Sequence, residues 1–176
     1  QFIYYAIQTY DLSVMREHLR LGMQYKSRLE NTPDWGKFLR LQGLMCLMIG
    51  EYDECRSWLE RSISFFESLD ADGEGRYVIS IAGAYNYIAE TYRLERKFDK
   101  ALEYYDKAIL FNQRRGSYPG AAIIYTDYGV AAYQSGETEV ARELFSYAEE
   151  LYQSFHEYSQ MPITLSYLAL FDVEEG

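Results

Sequence analysis

With three prolines in 176 residues, the chain has few breaks to its helices, and two cysteines are too few for a disulfide framework. No long apolar run occurs, so no membrane span is expected in what is shown. The opening residues, Gln1-Phe2-Ile3-Tyr4-Tyr5-Ala6-Ile7-Gln8, lack an initiator Met and a charged leader. They point to no signal peptide, to a cytoplasmic setting and to a fragment of a longer protein. Basic residues are few: 17 Lys and Arg stand against 27 Asp and Glu, a net charge of −10. Phosphate neutralisation needs clustered Lys and Arg, so direct nucleic-acid binding by this segment is not expected.

Residues that carry chemistry are also missing. The two histidines, His18 and His156, lie far apart with no Cys or carboxylate at ligand spacing, which leaves no metal site. Gly73-Glu74-Gly75 lacks the third glycine of a dinucleotide loop and the Lys-Ser/Thr of a phosphate loop, and it follows a helix rather than a strand. Glu149 and Glu150 lie on a solvated helix face with no aligned nucleophile or base. No cofactor and no catalytic residue is assigned, and the chain does not read as an enzyme. Arg114-Arg115-Gly116-Ser117 has the form of a basophilic kinase site, a pattern that short sequences meet often by chance.

What the chain does have is helical period. Apolar residues make up 48% of it, enough for a core, and its length suits one domain. In the stretch 81–115, Tyr85, Ile88, Ala89 and Tyr92 fall at i, i+3, i+4 and i+7, and after a short break Ala101, Leu102, Tyr105, Ala108 and Ile109 do the same. The small residues mark where two antiparallel helix backbones come nearest. The set recurs at Tyr125, Tyr128, Gly129 and Ala132, answered by Ala141, Phe145 and Ala148. An earlier pair runs from about Asp34 to Ile49, with Leu39, Gly43 and Cys46 inward, and from Tyr52 to Leu69, with Cys55, Leu59 and Ser62 facing back. Thr32 is expected to cap the first of these helices, with Pro33 at its first position and Asp34 near its positive end.

Before that pair, residues Phe2 to Tyr10 read as the tail of a helix, and Asp11 caps a helix from Leu12 to about Leu29 with Met15, Leu19, Gly22 and Met23 inward. A last helix begins near Met161 with Leu165, Leu168 and Ala169 inward, and both ends of the array are left without a polar cap. Gly50, Gly136 and, in place of a glycine, Arg96 make the turns within pairs. Most of the 19 tyrosines, by this spacing, are packing residues with the hydroxyl at a rim. Cys46 and Cys55 read as small buried residues of one contact.

Tyr85-x2-Ile88-Ala89-x2-Tyr92 followed by Ala101-x3-Tyr105-x2-Ala108 resembles the tetratricopeptide repeat. The residue opening each second helix recurs at Cys55, Ala101 and Ala141, steps of 46 and 40 residues, longer than the usual ~34 of that repeat. HEAT and armadillo repeats have that longer period, but the Ala-x3-aromatic-x2-Ala signature occurs twice intact. The resemblance implies an all-α, right-handed solenoid of antiparallel helix pairs, about four repeats and roughly eight helices. The units would span about 1–32, 33–75, 76–118 and 119–160, with an unpaired helix over 161–174.

In such a fold the first helix of each pair lines a concave surface. Its candidate positions here are Lys37, Arg40, Leu44 and Leu47, then Asn86, Glu90 and Arg93, then Thr126, Val130 and Tyr133. A groove mixing Asn and Arg with Tyr and Leu suits a peptide or a helix. The carboxylate clamp of co-chaperone domains is not matched, because its Lys and Asn positions carry Arg40 and Leu44, and its later positions carry Tyr87 and Asp127. The long repeats are similar to the arrays of MalT-like bacterial transcription regulators. That resemblance implies effector sensing or self-association through the uncapped ends, with a protein, a peptide or a small effector as partner. A peptide-binding quorum-sensing array and a plain assembly scaffold are the alternatives. Ala101→Leu is expected to cost about 1–3 kcal/mol and Arg93→Ala less than about 0.5.

Overall fold

The structure, a computed structural model, describes residues 12–71, 73–113, 120–159 and 161–175. These form α1 (Leu12–Gln24), α2 (Lys26–Leu29), α3 (Pro33–Met48), α4 (Tyr52–Leu69), α5 (Val78–Leu94), α6 (Phe98–Gln113), α7 (Gly120–Ser135), α8 (Thr138–Phe155) and α9 (Met161–Glu175). No strand occurs among them. The expected helix tail over Phe2 to Tyr10, the Asp11 cap and the Arg114–Ser117 stretch lie outside the described residues, as do the side chains of Met15 and His18. Among the described residues no helix is long and apolar enough to cross a membrane.

Helix starts follow the sequence. Pro33 opens α3, where its missing N–H has no intrahelical partner to lose, and acidic residues occupy the first turns of α3, α4, α6 and α8. Thr32 does not cap α3. Its hydroxyl donates back to the Leu29 carbonyl oxygen at 2.8 Å, closing α2 instead of opening α3.

The turns within pairs share one backbone device. Gly50, Arg96 and Gly136 are left-handed, with φ of 81°, 59° and 94°. The N–H of the next residue then reaches back to a last-turn carbonyl: Glu51 to Cys46, Lys97 to Tyr92 and Glu137 to Ala132, each at 2.9 Å. Arg96 therefore keeps the loop shape of the two glycines, in a conformation that a side chain disfavours.

Within each pair a small residue on the first helix receives a large one from the second. A Cβ added at Gly43 would stand 2.7 Å from Leu59 Cγ, and one at Gly129 would stand 2.9 Å from the Phe145 ring. Ala89 holds the same position against Tyr105, both fully buried in one cluster. Ala101, Ala108, Ala141 and Ala148 are fully buried, while Tyr85, Tyr92 and Tyr125 are half-buried rims to the core. Cys46 and Cys55 are buried and unpaired, and burial pushes the Cys55 thiol up to about 12. Ser62 is accommodated in the core by donating to the Gly36 carbonyl oxygen at 2.8 Å.

Successive pairs are joined by buried polar side chains as well. Arg56 on α4 donates to Thr91 of α5 at 3.0 Å and to Glu95, just past the end of α5, at 2.7 Å, and lies 4.5 Å over the Tyr92 ring. Arg142, at the matching place on α8, lies 4.9 Å over Phe171 on α9. First helices also touch one another, α3 with α5 and α5 with α7, while adjoining second helices have no comparable contact. The row of first helices is therefore the shorter, inner side of the stack.

Two expected packing faces are corrected. Met23 is 43% exposed, while Leu19 is buried as expected and Gly22 faces the Phe38 ring. In α9, Leu165 and Ala169 are exposed and Leu168 is half-buried, while Thr164 and Phe171 are fully buried. Leu165, Leu168 and Ala169 repeat the spacing of Tyr125, Tyr128 and Gly129, of which Tyr125 and Gly129 meet α8 while Tyr128 stacks on Tyr105 of α6. α9 meets the preceding pair with a different stripe.

Two outcomes follow for thermal unfolding. Arg96→Gly should raise stability by about 0.5–1 kcal/mol, because the left-handed turn is relieved at the loss of only an exposed contact with Phe98. Ala101→Leu should lower it by about 1–3 kcal/mol, and the opposite sign for either would contradict the packing described.

Candidate functional site

The inner row brings together residues from α3, α5 and α7. On α3, Arg40 and Leu44 are half-buried, and the Arg40 guanidinium lies 3.2 Å from where a Cβ on Gly83 would stand, bridging α3 to α5. Lys37 is exposed and paired with Asp34 at 2.9 Å. Leu47 packs against the core cluster that holds Cys55 and Ile88, and so serves the fold.

Between α5 and α7 the row is polar and closely knit. Asn86 donates to Asp127 at 2.8 Å, and Arg93 donates to Gln134 at 3.1 Å. Arg93 also grips Glu90 with two bonds of 2.8 and 2.7 Å, and the Tyr105 hydroxyl donates to the same Glu90 carboxylate from α6. Both bonds between α5 and α7 span 41 residues, one more than the 40-residue step between the turns at Arg96 and Gly136. Each α5 residue thus meets the α7 residue one place beyond its counterpart.

That offset explains where the expected groove residues fall. Asn86, Glu90 and Arg93 come together, with Asn86 only 5% exposed. Thr126, the counterpart of Asn86, is not on the inner surface. It is 3% exposed, donates to the Ala122 carbonyl oxygen at 2.9 Å and lies 2.8 Å from the Thr164 hydroxyl of α9. A β-branched hydroxyl can bond its own helix and sit inside, and the next helix covers it. Its neighbour Asp127 takes the surface place. Tyr133 is half-buried, edge-on to Tyr167 and Phe171 at ring distances of 5.4 and 5.6 Å, and Val130 packs with the same cluster. Residues the groove assignment omitted are Gln134, Asp127 and the Tyr105 hydroxyl. The one-place offset that would find them is a property of stacking, not of the text.

The electrostatics are uneven. The Glu90 bonds raise the Arg93 guanidinium above its ordinary value, so it stays charged and is spent on Glu90. Burial, and next the Glu90 charge, push the Asp127 carboxyl up to about 7, against the opposing effects of the Asn86 bond and Arg93. Burial, with Glu90 and Asp127 nearby, holds the Tyr105 hydroxyl well above the usual tyrosine range. No cation lies within ion-pair distance of Asp127 among the described residues. The Asn86 carbonyl oxygen is buried without a hydrogen-bond partner. Among the described residues no cluster of His, Cys, Asp and Glu could hold a metal.

Comparison with known proteins addresses the fold. A tetratricopeptide repeat family model matches residues 80–154. The apo form of RapI superposes with a TM-score of 0.80 at 14% identity, over 98% of this chain and 61% of RapI. BtubC (BKLC) from P. vanneervenii superposes with a TM-score of 0.70 at 21% identity, over 94% of this chain and 67% of its own. The chain thus spans about three fifths of RapI. No curated protein matches it in sequence.

Asp127 yields a pH-dependent outcome. Its carboxyl is raised in the folded state, so folding takes up a proton between the ordinary carboxylate range and about 7, and the group costs stability as pH rises through that window. Asp127→Asn keeps an acceptor for Asn86 and removes the charge. It should raise Tm by about 3 °C or more near pH 8 and by less near pH 5. Equal shifts at both pH values would mean the carboxyl is not raised. Arg93, by contrast with the small cost its surface position implied, should lose about 1–3 kcal/mol on Arg93→Ala, because Glu90 is left partly buried without its partner.

Proposed function

We propose, from the membership of residues 80–154 in the tetratricopeptide repeat family, that this chain is a non-catalytic module that binds a protein or peptide along its inner row. The observation that supports this reading most is the polar row itself. Asn86, Asp127, Arg93 and Gln134 run from one first helix to the next, with Leu44 and Tyr133 at either side. Alternating amide, charged and apolar side chains recognise an extended peptide or an amphipathic helix through both its backbone and its side chains.

The setting we favour is the effector-sensing or oligomerisation region of a multidomain bacterial transcription regulator of MalT-like type. A quorum-sensing array that takes a short peptide in the same groove is the second reading. The likeness in fold to RapI, whose matched structure is an apo form, supports a ligand-taking array of that general kind. A plain assembly scaffold would need no ligand in the row.

A panel of short peptides and sugars, followed by the shift in thermal unfolding and by titration calorimetry, tests the reading. Leu44→Glu, shown to be folded by its own Tm, should weaken a peptide hit by at least about tenfold. A panel with no peptide that shifts Tm, or a hit indifferent to Leu44→Glu, would argue for scaffolding.

A further inference from the structure

We infer that the inner row between α5 and α7 holds a subsite for one basic side chain of the bound peptide, seated on Asp127. This rests on the peptide-binding reading of the same surface and names the chemistry of its ligand.

The argument is one of unmatched acceptors. Glu90 is fully matched, with a two-bond grip from Arg93 and a third donor in the Tyr105 hydroxyl. Asp127, half-buried on the inner surface, accepts a single hydrogen bond among the described residues, from the Asn86 amide. That amide turns its own carbonyl oxygen, on a side chain 95% buried, to no donor. A buried acceptor without a donor costs about 1–3 kcal/mol, and a carboxylate out of water without a cation costs more. The free protein can relieve the charge by protonating Asp127. A guanidinium or ammonium group relieves it better, because it brings several N–H donors and a full positive charge, and the Asn86 amide can turn to share them.

The surroundings favour this cation over an anion. The groups facing Asp127 are Glu90 and Arg93 on α5, the Tyr105 hydroxyl on α6 and the Tyr152 hydroxyl on α8. Glu90 and Arg93 cancel, the hydroxyls are neutral, and Asp172, the charged side chain described on α9, lies 3.9 Å from Arg142 instead. The local balance is one negative charge with Asp127 ionised, on a chain whose net charge is −10. Ligand and proton then compete for one carboxylate. The shift of the Asp127 carboxyl towards neutrality puts the exchange within the ordinary working range of pH.

The experiment compares blocked peptides that carry a central arginine with the same peptides carrying citrulline, which has the shape without the charge. Binding to the intact protein is followed by calorimetry near pH 8 and near pH 5.5 at constant ionic strength. The arginine peptides should bind at least about tenfold tighter than their citrulline partners near pH 8, and the preference should fall about tenfold or more near pH 5.5. Asp127→Asn, confirmed folded by its Tm, should remove both the preference and its pH dependence. Equal binding of arginine and citrulline peptides, or a preference that survives Asp127→Asn, overturns the basic subsite and leaves the peptide groove standing. Failure of every peptide in both forms to bind overturns the subsite and the groove together.

Discussion

The structure depends on how closely two helix axes can approach within each pair. At Gly43, Ala89 and Gly129 the first helix offers almost no side chain, and Leu59, Tyr105 and Phe145 fill the space from the second. A hydrocarbon or ring pressed onto bare backbone gains dispersion contacts along its whole length, and the fit admits no extra methylene without displacement. The depth of these contacts fixes the angle and spacing of each pair. Everything on the inner row inherits its position from them.

Tyr105 shows how packing and recognition share one residue. Its ring is fully buried against Ala89 and stacked with Tyr128 at 5.3 Å, and its hydroxyl ends on Glu90, the residue after Ala89 on the inner side. Replacing leucine or phenylalanine by tyrosine at this one place lets the core of the central pair hold a carboxylate in place. Glu90 then anchors Arg93, which reaches Gln134 on the next first helix. A contact made for stability thereby sets the charge pattern of the surface between α5 and α7. The neighbouring pairs, with Leu59 and Phe145 at the corresponding place, carry Leu44 and Val130 where the central pair has Glu90.

Much of this was legible in the sequence, and the division has physical grounds. Small residues at i and i+4 report backbone approach directly, so Ala89, Ala101, Gly129 and Ala141 disclosed the helix pairs, and the Tyr52–Leu69 helix has the bounds its period implied. The inner row was legible only in part. Which residues share a surface between repeats depends on an offset of one residue in stacking, which local period does not contain. The sequence therefore points to Thr126 where Asp127 takes the surface place, and the small cost it implies for Arg93→Ala leaves out the bonds of Arg93 to Glu90 and Gln134. The last helix was misjudged for a related reason. Its spacing repeats that of Tyr125, Tyr128 and Gly129, yet the face it buries is the one turned to the previous pair, Thr164 and Phe171. Arg96 is a third kind of case, where the turn's geometry is dictated by the helices it joins and the residue yields to it.

A double-mutant cycle at one pair measures the governing contact most directly. Gly129→Ala adds a methyl group against the Phe145 ring, and Phe145→Leu shortens the side chain that it meets. If close approach fixes the pair, the two changes compensate, and the double variant is more stable than the sum of the single losses by at least about 0.5 kcal/mol in denaturant unfolding. Simple additivity of the two losses would mean that the backbones are free to shift apart at Gly129, and that the small residues do not set the spacing of the helices.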